Sequence, residues 1–70
     1  MNGYLSDVEL TPRELEVLAT VADLYTAAET GEILCITLNT VKSHLKAINV
    51  KLAVSSRGQA VRRARSLGLM

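Results

Sequence analysis

Four helix starts are written into these 70 residues, and together they leave little room for anything except a small all-helical fold. Thr11-Pro12-Arg13-Glu14, Thr26-Ala27-Ala28-Glu29 and Ser56-Arg57-Gly58-Gln59 share one pattern, a hydroxyl followed three residues later by a carboxylate or amide. In such a capping box each side chain satisfies a backbone amide that the first helical turn leaves without a partner. Pro12 falls at the first helical position, where its missing N–H costs nothing. Thr37 supplies a fourth cap of the simpler kind.

Apolar spacing extends each start into a helix. Helix 1 is expected from about Pro12 to Leu24, with Leu15, Leu18, Val21, Ala22 and Tyr25 on one stripe and Val17 and Leu24 widening it. Helix 2 is short, about Ala27 to Leu34, with Ala27, Thr30, Gly31 and Leu34 facing inward. Gly31 costs ~1 kcal/mol in a helix interior unless a neighbour must come close. Cys35 and Ile36 form an apolar turn, with Cys35 expected as a core filler. Helix 3 spans about Leu38 to Leu52 on the narrow stripe Val41, Leu45, Ile48 and Leu52. At about 100° per residue, Asn39, Ser43, Lys46 and Val50 take the opposite face, with Lys42 and Ala47 beside it. Helix 4 runs to about Leu67 on Ala60, Val61, Ala64 and Leu67, and Gly68 is its natural C-terminal stop. No hairpin turn sits between alternating runs, so no strand is expected. Residues 1–9 lack a sustained period and are assigned to an N-terminal arm or linker remnant; residues 10–70 form the domain.

The chain has no Phe or Trp, so the core must be Leu, Ile, Val and Ala. A core of this size supplies only roughly 3–5 kcal/mol. A single cysteine, Cys35, excludes an internal disulfide, and with the single His44 it provides no metal-ligand set. No nucleophile–base pair stands out, so neither catalytic residues nor a cofactor are expected. No apolar run approaches the ~18 residues of a membrane span, and a soluble cytoplasmic protein is the expectation.

Charge is divided along the chain. All seven acidic residues lie at or before Glu32, whereas seven of the eight bases follow Ile33. A one-signed surface attracts polyanions, and duplex DNA is the expected partner. Helix 2, a short turn and helix 3 have the grammar of a helix-turn-helix. The outer face of helix 3 carries short polar groups near its start and long donors beyond them. Asn39 suits adenine, Lys42 and Lys46 suit guanine or phosphate, and Ser43 suits either. The free amides of Leu38, Asn39 and Thr40 offer a phosphate seat. Lys51 and Arg57 are further phosphate contacts. Arg62, Arg63 and Arg65 are expected to be solvated or paired with acids of helix 1.

Leu10 to Leu18 (LTPRELEVL), Leu38 to Lys46 (LNTVKSHLK), Lys51-Leu52, Val54 to Arg57 (VSSR) and Ala60 to Met70 (AVRRARSLGLM) carry a resemblance. Over about residues 10–70 the chain resembles the LuxR-type (GerE/FixJ-like) DNA-binding domain. The resemblance implies a compact four-helix unit at the C-terminus of a transcription regulator, often below a receiver or ligand-sensing domain. It places Asn39, Lys42, Ser43 and Lys46 where that family reads bases, and Thr37 and Thr40 near backbone contacts. It also implies a homodimer through helix 4, whose small Ala60, Val61 and Ala64 stripe suits close approach either in the core or across the dimer, with Val61 and Ala64 expected at the interface. The chain departs from the family pattern at Thr30 and Gly31, where Ile and Ala are favoured, implying a weakly anchored helix 2. Asn49 and Val50 replace an aromatic or Leu followed by Arg, and Ala53 replaces a Gly. Two rival readings remain at this level. Region 4 of a sigma factor shares the capped helix-turn-helix, and a helical protein–protein module would use the acidic half to dock a basic partner.

Overall fold

Each capped start opens a helix in the computed structural model, which describes residues 9–70. The helices are α1 (Pro12–Ala22), α2 (Ala27–Leu34), α3 (Leu38–Leu52) and α4 (Arg57–Ser66). Most of the expected N-terminal arm lies outside the described residues. Among those described there is no strand, and the fold is all-α.

The caps act largely as their residue types dictate. Thr11 accepts from the Glu14 amide at 3.1 Å while the Glu14 carboxylate accepts from the Thr11 amide at 2.8 Å. Thr26 and Glu29 repeat the exchange with the same distances. The third box is only half formed. Ser56 accepts from the Gln59 amide, but Gln59 Oε1 takes both the amide and the hydroxyl of Ser55. An uncharged amide on an exposed turn has no strong preference for the cap amide over its neighbour.

Three helices end in the same way. Cys35, Ala53 and Gly68 adopt left-handed backbone, with φ of 60°, 56° and 75°. Around each, the next residue's amide reaches back across the last turn: Ile36 to Gly31, Val54 to Asn49 and Leu69 to Ala64. This Schellman closure satisfies carbonyls the helix leaves free, and Gly is its natural pivot. Gly68 meets that expectation, whereas Cys35 and Ala53 each cost about 1 kcal/mol relative to glycine. Cys35 is therefore an exposed pivot and not the core filler expected of it.

Helix α1 stops at Ala22, two residues short of expectation. Leu24 turns left-handed at φ 72° and is 91% exposed, and Tyr25 is exposed as well. The apolar period runs on past the helix because it records residue type only; the chain must leave the helix there for Thr26 to cap α2.

The core consists of Val17, Leu18 and Val21 from α1, Val41, Ile48 and Leu52 from α3, and Ala60 and Ala64 from α4. Helices α1 and α3 each pack on all the other helices, while α2 touches α1 and α3 but not α4. The two alanines let α4 lie close. The fully buried residues of α2 are Thr30 and Gly31, with Ala27 and Leu34 partly buried against the core. A Cβ on Gly31 would meet the Ile36 carbonyl at 2.7 Å, so the close approach that justifies glycine is made by the turn of the helix-turn-helix.

Candidate nucleic-acid interface

The α3 stripe of Val41, Ile48 and Leu52 is buried, which turns the other side of the helix outward. Asn39, Lys42, Ser43 and Lys46 are all exposed there, and α3 contains no carboxylate. Lys42 and Lys46 have no ion-pair partner among the described residues, where the two ion pairs are Arg13–Glu16 at 3.4 Å and Lys51–Glu14 at 2.8 Å. Leu38, the first residue of the helix, adds an apolar side chain that is 42% exposed. At the far end of the same face Val50 is 74% exposed. The result is a face with amide, hydroxyl and ammonium groups at helical spacing and no internal neutralisation.

The start of α3 is more committed than the sequence suggests. Thr37 accepts from the Thr40 amide at 3.1 Å, and the two hydroxyls share a hydrogen bond of 2.8 Å. The Thr40 amide is thus occupied, and the amides of Leu38 and Asn39 remain as the outward donors of the first turn.

Lys51 is held inside the domain's own framework. Its ammonium donates to Glu14 Oε1 at 2.8 Å, joining the end of α3 to the start of α1. Glu14 is a buried carboxylate that accepts from the Thr11 amide with the same oxygen. Burial pushes its pKa up, but the Lys51 hydrogen bond, the Thr11 amide, the Lys51 charge and the Thr11 hydroxyl together outweigh this. Its pKa lies below the ordinary value. Sequence reading assigned Glu14 to the cap alone; its partner is 37 positions away, and no local pattern signals such a pair.

Arg57 is exposed at the first position of α4, lining a shallow groove with Val21, Ala22, Leu24 and Val61. The structure does not gather it onto the α3 face. Val61 is half-buried and reaches that groove, but Ala64 is fully buried. Ala64 therefore belongs to the domain's interior and offers no surface to a second copy, a correction to its expected place at a dimer interface. The cause is the small Ala60/Ala64 pair, which packs α4 directly onto the core. Of the two expectations for Arg62, Arg63 and Arg65, solvation holds: all three are exposed, and none pairs with an α1 acid. Among the described residues no His, Cys, Asp and Glu side chains group so as to hold a metal ion. No helix there is long and apolar enough to cross a membrane.

Residues 8–64 match the family model described as bacterial regulatory proteins, luxR family. The chain is 49% identical over 61 residues to the HTH-type quorum sensing-dependent transcriptional regulator RpaR of Rhodopseudomonas palustris, a match covering 87% of this chain and 25% of that protein. It is 53% identical over 51 residues to the transcriptional regulatory protein LiaR of Bacillus subtilis, covering 73% of this chain and 24% of LiaR. The crystal structure of response regulator ChrA, from a heme-sensing two-component system, superposes with a TM-score of 0.86 at 34% identity, over 89% of this chain and 31% of that one. The chain thus spans about a quarter of the length of these curated relatives. With its four-helix architecture and the helix-turn-helix formed by α2 and α3, the chain belongs to the luxR family of bacterial regulatory proteins.

Proposed function

We propose that this domain binds duplex DNA sequence-specifically by placing α3 in the major groove. The observation that carries the reading is the α3 outer face, where Asn39, Lys42, Ser43 and Lys46 are exposed and unopposed by any acid of that helix. Asn39 has the paired donor and acceptor that match adenine, and the two lysines donate to guanine or to phosphate. Ser43 is short enough for its neighbours to approach the bases. The Leu38 and Asn39 amides, with Thr37 and Thr40 holding the first turn in shape, receive a backbone phosphate. Arg57 adds an outer phosphate contact. Lys51 serves the interface indirectly, by fixing the angle of α3 against α1 through Glu14. Two copies pair through the exposed side of α4 around Val61, so that two reading helices face paired half-sites. In a longer chain, a sensor or receiver domain precedes this one and controls the pairing.

The test is selection of binding sites from random duplexes, followed by titration of Lys42→Ala and Lys46→Ala on the selected site. Each variant is expected to bind more weakly. The salt dependence becomes shallower by about 0.9 in log–log slope for each lysine that contacts phosphate, and discrimination between sites falls for each that contacts a base. A chain that enriches no sequence and binds no duplex at low salt, even when dimerised by fusion, would be a protein-binding module instead.

A further inference from the structure

Helix α4 has a second outward face that the proposed pairing around Val61 does not use. Gln59, Arg62, Arg63 and Ser66 follow one another at helical spacing and line one wall of an open cleft of about 730 Å³. The opposite wall is Ala53, Val54 and Ser55, the residues that leave the end of α3. Neither guanidinium has a carboxylate partner among the described residues, and no acid occurs anywhere after Glu32. The pairing groove near Arg57 and Val61 is a different cavity.

The position of this cleft at the C-terminal end of α3 decides what it meets. A helix of 15 residues is roughly 22 Å long, whereas the major groove is about 12 Å wide. With the first turns of α3 against the bases, its last turns overrun the groove edge, where only sugar and phosphate are presented. The exposed α3 side chains there are Val50, which has no donor, and Lys51, whose ammonium is committed to Glu14. Across the Ala53 turn, the unpaired cations that line the cleft are Arg62 and Arg63. Guanidinium forks match phosphate oxygens two at a time, and the Ser66 hydroxyl adds a further donor.

We propose that the Arg62–Arg63 cleft is a phosphate clamp, gripping the DNA backbone just outside the bases that α3 reads. This rests on the proposed major-groove placement of α3 and names the part of the duplex that α4 engages. The clamp contributes affinity without sequence preference, because phosphates are the same in every sequence.

The experiment uses the 70-residue chain and a duplex obtained by selection, beside a random duplex of the same length. In the Arg62→Ala/Arg63→Ala variant, affinity is expected to fall by about the same factor on both duplexes, with a salt slope shallower by roughly 1–2. Neutral methylphosphonate linkages flanking the half-site should weaken the unchanged chain and leave the variant unaffected. Both arginines are exposed, so circular dichroism and thermal melting should be unaltered, and the Arg62→Lys/Arg63→Lys variant should recover most of the slope. An alanine variant with unchanged slope and affinity on the selected duplex overturns the clamp while leaving the α3 reading intact, and would reassign the cleft to an acidic protein surface. Loss confined to the selected duplex also overturns it, since that would make the arginines base readers. Failure of the unchanged chain to bind any duplex overturns both readings together.

Discussion

The two helices of the helix-turn-helix are held by different means. Helix α3 buries Val41, Ile48 and Leu52, packs on every other helix, and has its end tied to α1 through Lys51 and Glu14. Helix α2 has eight residues, misses α4 altogether, and fully buries only Thr30 and Gly31, with Ala27 and Leu34 partly buried and Ile33 51% exposed. Burial of large apolar groups fixes α3. Helix α2 is positioned by a good cap, by one close backbone approach and by Ala27 and Leu34, which are partly buried against the core. The turn at Cys35 and Ile36 joins α2 to α3 through a backbone closure from Ile36 to Gly31.

The largest effect should come from the strong side of the contrast. Ile48→Ala is expected to cost about 2–5 kcal/mol in chemical denaturation, whereas Ile33→Ala on α2 should stay within roughly 0.5 kcal/mol. Equal losses would mean that the exposed Ile33 anchors α2 as firmly as Ile48 anchors α3.

Glu14→Ala comes next, at about 2 kcal/mol. The cap accounts for about 1 of this and the ion pair for the remainder, discounted because the Lys51 side chain is 38% exposed. Its sign with pH is fixed by the lowered pKa of Glu14. The carboxylate's electrostatic contribution is complete above the ordinary value of 4.5 and is lost as pH falls through the lower folded value. The gap between the two proteins should therefore narrow in acid; a gap independent of pH would assign the loss to packing alone.

Gly31→Ala tests the geometry of α2 directly. Alanine gains about 1 kcal/mol of helix propensity, but its Cβ meets the Ile36 carbonyl at 2.7 Å. Displacing a backbone group outweighs the gain, and a net loss of about 1–2 kcal/mol is expected in thermal melts. Net stabilisation would show that the turn relaxes and that the close approach is no constraint.

The smallest change runs the other way. The Thr30 hydroxyl is buried with no hydrogen-bond partner, so Thr30→Val, of nearly the same shape, should stabilise the domain by about 1 kcal/mol. Unchanged stability would point to a bound water satisfying the hydroxyl.

Much of this molecule was legible in residue order alone. The starts of all four helices, the exact span of α2 and α3, and the stripe that turns Asn39, Lys42, Ser43 and Lys46 outward all follow from caps and spacing. The resemblance in the Thr40-Val41-Lys42-Ser43-His44 block led to the family that residues 8–64 match. Legibility failed at places where a residue's surroundings matter more than its type. Leu24 and Tyr25 continue an apolar period but lie beyond the helix, and Cys35 is a pivot although its type suggests a core residue. Ala64 shares a stripe with Val61, yet only packing reveals that one is interior and the other half open.

The sequence by itself determined the class of fold, the helix starts and the face of α3 that meets solvent. These depend on interactions within a turn or two, which residue types at fixed spacing dictate. The tertiary structure alone decided that Lys51 belongs to Glu14, that Gly31 answers a backbone carbonyl, and that Arg62 and Arg63 face a cleft beside the end of α3. Those pairings join residues far apart in the chain, and their distances exist only once the helices have packed.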